Sequence, residues 1–465
     1  MNELDAEVVK VGDYVVVQRQ NYYKLHKVTA NGNLLLGKDQ LEMSSIIGRP
    51  MWTTYKMEAK VTGKRLYTLL ETKEVESLSK DLKSVLPSGL DNRSIIDDGT
   101  SQQLSTEDIV GLREAGKSSK EIVGKLIENS KTFQNKTEYS QAKYLKKKEK
   151  KYFEYITIRK PTIRLIQDIY FRMDHQKISS LRMDTLAQLL SYSGVNADGL
   201  YMVYDSGSQG LPASAMLHRI GAGTNGKLIH MHPGNIPQRT LIQAMNFPEE
   251  QLRRMLTVNI YSLIRMYYQG TEQFLEVSKY KAKSDTLNVE CIVLESNDTD
   301  FTEDVANPKV PKAEAEVKAE GITEDNSSNR AVNSFESKGL KRKLKDAPSH
   351  EPPKKPKWLI ETQEAVEIMK VTKADGLAII AKEHPLNIIK GLLPFLGISR
   401  PFVIYHSSRE PLQETYVALK QRSDVINLRL FANFLRSHQV LPDRTHPDIL
   451  MSDTGGYLLY GYLVD

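Results

Sequence analysis

One stretch constrains the fold of this chain more than any other. Leu200-Tyr201-Met202-Val203-Tyr204 reads as a buried strand, Asp205-Ser206-Gly207-Ser208-Gln209-Gly210 as a glycine turn, and Pro212-Ala213-Ser214-Ala215-Met216-Leu217 as the opening of a helix. A strand, a glycine turn and a helix start in that order cradle a dinucleotide or S-adenosylmethionine. Such a cradle needs a second element: an acidic residue roughly 20 positions on, at the tip of the next strand, that bonds the ribose hydroxyls. Here the next strand is Lys227-Leu228-Ile229-His230-Met231-His232, and no Asp or Glu lies between Asp205 and Glu249. The turn is present and its ribose acceptor is missing.

A chain of 465 residues holds two or three domains. It has no apolar run long enough to span a bilayer, so no membrane partner is expected. Met1-Asn2-Glu3-Leu4-Asp5 carries neither the basic nor the apolar part of a secretory signal. The one cysteine, Cys291, excludes an intramolecular disulfide framework and a cysteine-based zinc site. A reducing compartment follows. The net charge of +6 is mild, and what matters is where the positive charge sits.

The chain reads as α/β with an N-terminal β-barrel. Residues 8–70 carry the barrel strands, with Gly12-Asp13 turning into the first and Asn31-Gly32 as a hairpin turn between Tyr22–Val28 and Asn33–Gly37. The Asn-Gly pair suits a type I′ turn, whose two central residues need φ > 0. Leu66-Tyr67-Thr68-Leu69-Leu70 reads as the last barrel strand, and residues 73–98 as a linker. Ser105 caps one short helix, and Ser118-Ser119-Lys120-Glu121 is a capping box for a second. From Pro161 helices alternate with strands, at 165–173, 181–192, Gly376-Leu377-Ala378-Ile379-Ile380 and Phe402-Val403-Ile404-Tyr405. That alternation predicts a doubly wound, methyltransferase-like (Rossmann-like) sheet, closed by an antiparallel pair at 425–434 and 457–464.

Residues 296–356 interrupt this sheet with a charged segment that has no Tyr or Trp and only Phe301 and Phe335. Such a segment buries too little apolar surface to offset its ordering entropy, so a disordered insertion is expected. It ends in Lys341-Arg342-Lys343-Leu344-Lys345 and Lys354-Lys355-Pro356-Lys357, clusters that read either as a bipartite nuclear signal or as a solvated linker. The nucleus is the expected location. The domain boundaries follow: a barrel over 1–75, a linker and basic helical RNA-binding segment over 76–160, a methyltransferase-like domain over 161–295 and 357–465, and the insertion over 296–356.

The strongest binding signal is the helix Tyr139–Tyr152, in which lysine takes six of the nine positions from 143 to 151. Lys143, Lys146, Lys147, Lys148, Lys150 and Lys151 would neutralise phosphates, and Tyr144 and Tyr152 would stack on bases or anchor the helix. Arg159 and Lys160 extend the patch. The other reading is a solvated charged face. Arg400, Arg429 and Arg444 sit in apolar or turn contexts, as ion-pair partners or RNA contacts.

The glycine turn has three readings. Asp205, Gly207 and Gly210 would begin a working S-adenosylmethionine site, or Ser208 would serve as a nucleophile on a strand-to-helix elbow, or the turn is a remnant kept because it folds. The missing acid favours the remnant, so no cofactor, no metal and no catalytic residue is assigned to this chain. His230 and His232 alternate on one strand face with no cysteine or carboxylate beside them. Lys382-Glu383-His384-Pro385 stands where amino-directed methyltransferases carry Asp or Asn before prolines, and Glu383 is the one residue there able to substitute.

Five segments in order carry a family resemblance: Tyr139–Tyr152, Ser399-Arg400-Pro401-Phe402-Val403, Val425-Ile426-Asn427-Leu428-Arg429-Leu430, Gln439-Val440-Leu441-Pro442-Asp443-Arg444 and Gly455-Gly456-Tyr457-Leu458-Leu459. Together they resemble the non-catalytic subunit of the eukaryotic tRNA (adenine-58-N1)-methyltransferase, over nearly the whole chain except the insertion. The resemblance implies two such chains with two catalytic partners that bind S-adenosylmethionine, and a tRNA-binding surface on this chain. It places Arg400 as a candidate that orients tRNA towards the partner's active site. The alternative is that the chain is itself an active S-adenosylmethionine-dependent RNA methyltransferase.

Overall fold

The structure, a computed structural model, describes residues 8–60, 65–73, 89, 101–115, 117, 119–152, 154–271, 355–441, 444–449 and 455–465. Cys291, the cluster at 341–345 and nearly all of the charged insertion lie outside the described residues, as does most of the 73–98 linker.

The N-terminal sheet is a nearly closed barrel. Its strands are β1 (Tyr14–Arg19), β2 (Tyr22–Lys27), β3 (Asn33–Leu36), β4 (Asp39–Glu42), β5 (Thr54–Ala59), β6 (Leu66–Thr72) and β7 (Tyr155–Arg159). They lie in the order β2-β1-β7-β5-β6-β4-β3. Val15, Val17, Leu41, Met43, Tyr55, Ile156 and Ile158 fill it.

Two expectations fail here. Asn31-Gly32 joins no hairpin, because β2 and β3 stand at opposite ends of the strand order. It turns through Gly32 N–H to Thr29 O (3.2 Å), while the two-residue hairpins fall at Gln20 and at Gly37, both at positive φ. Nor is β6 the last barrel strand. β7, from the segment read as the RNA-binding stretch, inserts between β1 and β5.

Between β6 and β7 run α1 (Thr106–Glu114), α2 (Ser119–Glu128) and α3 (Glu138–Tyr152). Ser105 and Asp108 cap α1 reciprocally, Ser105 Oγ accepting from Asp108 N–H (3.1 Å) and Asp108 Oδ2 from Ser105 N–H (3.0 Å). Ile122, Val123, Leu126 and Phe133 bury Leu145 and Tyr152 of α3 in a small separate core.

The second sheet is built from α4 (Ile163–Asp174), α5 (Met183–Tyr192), β8 (Leu200–Asp205), α6 (Leu211–Ile220), β9 (Lys227–His232), α7 (Thr240–Ala244), α8 (Glu249–Arg253), β10 (Met255–Asn259) and α9 (Ile260–Gln269). It continues with α10 (Lys357–Val371), β11 (Gly376–Ile380), α11 (Pro385–Leu392), β12 (Pro401–His406), α12 (Glu410–Lys420), β13 (Val425–Ala432), the hairpin β14 (His438–Leu441) and β15 (Arg444–Pro447), and β16 (Tyr457–Leu463). The strand order is β10-β9-β8-β11-β12-β16-β13, with β16 antiparallel to both neighbours. This is the expected doubly wound, methyltransferase-like sheet. Every residue of β8 and β11 is buried, as strands covered on both faces must be. The order reverses between β8 and β11, so the crevice for a ligand would open at their carboxyl ends.

Asn246, at φ 50°, joins the two sheets. Its Oδ1 accepts from Tyr14 N–H (2.9 Å) and its Nδ2 donates to Tyr14 O (2.8 Å). Asn246→Ala leaves both Tyr14 groups unpaired and places Ala in a left-handed conformation. It should cost about 2–3 kcal/mol in urea denaturation and speed exchange of the Tyr14 amide.

Candidate functional site

The glycine turn satisfies its own backbone. Asp205 Oδ1 accepts from Ser208 N–H (2.9 Å) and Ser208 Oγ–H (2.7 Å), and Oδ2 accepts from Gly210 N–H (2.9 Å). Burial raises the Asp205 pKa, and these hydrogen bonds pull it the other way. Gly207 and Gly210 both sit at positive φ, 113° and 79°. Ser208 is fully buried with its hydroxyl spent on Asp205, so it is not presented as a nucleophile.

The ligand side of the turn is occupied by the chain's own atoms. A Cβ on Gly207 would collide with the Lys382 side chain, which lies across it with Nζ 2.8 Å from that position. Ser206 Oγ donates to Glu383 Oε2 (2.5 Å) and accepts from Lys382 N–H (2.8 Å). Ser179 Oγ donates to Gly207 O (3.1 Å), and Tyr405 OH donates to Ser179 O (2.8 Å). A Cβ on Gly210 would press on Gln238 O at 2.9 Å. Glu383, weighed as a substitute for a catalytic acid, is held in this lock. Its charge, after burial, helps push the Tyr204 pKa up.

At the tip of β9, where a ribose acceptor would stand, is His232. It and His230 are buried, and the Nδ1 atoms of both lack a hydrogen-bond partner among the described residues. Burial first, then His232 and Arg239, push the His230 pKa down to about 3; burial likewise lowers that of His232. Both are neutral at pH 7, and an imidazole with a single acceptor nitrogen cannot take both ribose hydroxyls as a carboxylate does. Among the described residues no group of three or more His, Cys, Asp or Glu is placed to hold a metal. The residues present do not fit S-adenosylmethionine: the acid is replaced by histidine and the glycine face by a lysine side chain.

On the basic helix α3, Tyr144 and Tyr152 turn inward while most of the lysines stay exposed. Tyr144 packs edge-on against Phe133 (5.2 Å between centroids), with Lys136 Nζ at 5.4 Å and Lys148 Nζ at 5.1 Å from its ring. Tyr152 is buried. The two tyrosines therefore anchor the helix, leaving Tyr139 as its exposed ring. Lys143, Lys146, Lys147 and Lys151 are exposed, and Lys148 is half-buried. The side chain of Lys150 lies outside the described residues. Burial, then repulsion from Lys151, Lys147 and Lys136, lowers the Lys148 pKa, the mark of a one-sign field.

The other basic residues are not gathered onto this helix. Arg159 ends β7 on the barrel, donating from Nη1 to Gln18 Oε1 (3.1 Å), and Lys160 follows it. Arg400 precedes β12, at the end of the sheet opposite the glycine turn, and pairs through Nη2 with Asp375 Oδ1 (3.0 Å). Arg429 is exposed on β13 and shares an open groove of about 690 Å³ with Tyr192, Arg409, Tyr416, Phe431 and Tyr460. Arg444 opens β15, and its side chain lies outside the described residues. The sequence marks Lys382 only as a departure and does not point to Ser179. No local spacing marks them, because their partners are distant in the chain.

Residues 8–318 match the model of the Gcd10p family. The chain is 34% identical to the tRNA (adenine(58)-N(1))-methyltransferase non-catalytic subunit TRM6 of Mus musculus, over 97% of this chain and 88% of that protein. It is 26% identical to the non-catalytic subunit trm6 of Dictyostelium discoideum, over 98% of this chain and 79% of that one. The corresponding subunit of Debaryomyces hansenii is also 26% identical, over 94% and 82%.

A histidine whose folded pKa is depressed gives stability that is full above its unfolded pKa of 6.5 and is lost as pH falls towards about 3. Between pH 6.5 and pH 5 the His230 share is about 2 kcal/mol. Urea denaturation at those two values should show that loss in the wild type, and His230→Met should shrink it.

Proposed function

The chain belongs to the Gcd10p family, and from that premise we propose that it is the non-catalytic, tRNA-binding subunit of a methyltransferase complex that forms N1-methyladenosine at position 58 of tRNA. One observation carries the reading beyond family membership. At the carboxyl ends of β8 and β11 the Lys382 side chain lies over Gly207, and Ser206 Oγ donates to Glu383. That arrangement supports a fold kept without its cofactor.

The methyl donor then belongs to a homologous catalytic subunit. This chain supplies folded surface and positive charge. Lys143, Lys146, Lys147 and Lys151 face solvent on a helix whose register is fixed by buried Leu145 and Tyr152. Each lysine that reaches a phosphate releases a counterion. Arg400, its side chain 53% exposed beside Asp375, orients tRNA towards the partner's active site. Two copies of each subunit form the complex. Phe434, Val440 and Ile449, 87%, 79% and 88% exposed around the β14–β15 hairpin, supply apolar surface for a partner to cover. The basic clusters at 341–345 and 354–357 direct the chain to the nucleus.

Isothermal titration of the isolated chain with S-adenosylmethionine should give no binding heat, whereas the co-purified complex should bind it. Tight stoichiometric binding by this chain alone would sink the reading and favour an active methyltransferase.

Changing Lys143, Lys146 and Lys147 to Glu should weaken tRNA binding and flatten its salt dependence, by about 0.7–0.9 in log–log slope per lost contact. An unchanged affinity at low salt removes the patch. In the same assays Arg400→Ala should keep tRNA bound while methylation by the complex falls.

A further inference from the structure

We propose that the outer face of the barrel carries a stacking platform for an unpaired nucleotide, built from Trp52 and Arg159. The inference rests on the tRNA-binding reading and assigns a second, chemically different contact to it.

Trp52 precedes β5 at φ 71°, a conformation that a bulky side chain rarely adopts and glycine adopts freely. Its N–H donates to Ile158 O (2.7 Å), which fixes the backbone to β7. The indole contributes little to the barrel core: it stays 52% exposed and is absent from the packed cluster of Val15, Val17, Tyr55, Ile156 and Ile158. Strain concentrates where function holds it in place.

The Arg159 guanidinium lies 4.6 Å from the Trp52 ring centroid and 6.0 Å from that of Tyr23. Arg159 Nη1 holds Gln18 Oε1, and its buried Nε has no hydrogen-bond partner among the described residues. No carboxylate among the described residues forms an ion pair with it. An indole backed by an unneutralised planar cation presents a π-face for a base beside a positive charge for its phosphate. A paired base is already stacked on its neighbours, so the geometry selects an unpaired one.

The chain has two tryptophans, Trp52 and Trp358, so Trp358→Phe leaves Trp52 as the sole indole reporter. Titrating that full-length variant with tRNA, and with a short single-stranded oligouridylate, should quench its emission with saturation. Trp52→Ala should weaken tRNA binding roughly 5- to 100-fold with an unchanged salt slope, because a stack and not a phosphate contact is lost. Trp52→Phe should keep most of the affinity. Trp52→Gly should fold at least as well in a thermal melt, since glycine suits the left-handed backbone, yet bind as weakly as the alanine variant.

If tRNA binds but Trp52 emission and the Trp52→Ala affinity stay unchanged, the platform is wrong and the tRNA-binding reading stands. If the wild-type chain and its complex bind no tRNA, the reading itself fails. A quench produced by the catalytic subunit without RNA assigns Trp52 to a protein interface and overturns the proposal.

Discussion

The backbone N–H groups of Ser208 and Gly210, at the entry to α6, need an acceptor, and the chain supplies it from within. In a nucleotide fold the amides at this point of the sheet are aimed outward at the ligand. Here the Asp205 carboxylate takes them both, with the Ser208 hydroxyl, in one buried network. The turn is thereby stable without a cofactor, and its neighbours settle onto it. Lys382 crosses Gly207, Ser206 ties to Glu383, and Gln238 closes against Gly210. The Lys382 and Glu383 contacts join segments far apart in the chain, and the Gln238 backbone carbonyl packs close to Gly210.

Much of this was legible in the sequence, and the legible part was local. Strand, glycine turn and helix start are set by residues within a dozen positions, and β8 and α6 form where those residues place them. The missing acid was visible because its position is set by the next strand. What depended on distant partners was not legible. Asn31-Gly32 has hairpin chemistry, yet β2 finds β1 and β3 finds β4, so the pair turns a connection instead. β10 escaped notice because Met255-Leu256-Thr257-Val258 is a short apolar run of the kind that fits helix or strand alike. Arg159 looked like the tail of a lysine-rich helix until β7 carried it into the barrel.

On α3 helical spacing alone leaves open the roles of tyrosine and of lysine, because both share it. The small core beneath the helix decides between them. Tyr144 and Tyr152 go inward against Phe133 and Leu145, which leaves Lys143, Lys146, Lys147 and Lys151 on the solvent side. Charges held on one rigid element act as a group, since phosphates spaced along a duplex meet several of them at once. The buried tyrosines and the exposed lysines are two parts of the same arrangement.

The place of β7 has a further consequence for how the chain is made. The strand that sits between β1 and β5 follows α1, α2 and α3, so both strands emerge from the ribosome long before the partner they share. Until residue 159 is released, each has an open edge, and such edges invite mispairing. Closure of the barrel brings the ends of the helical excursion together and fixes α3 at the entry to β7. The timing of barrel closure and the positioning of the lysine-bearing helix are therefore a single event during synthesis.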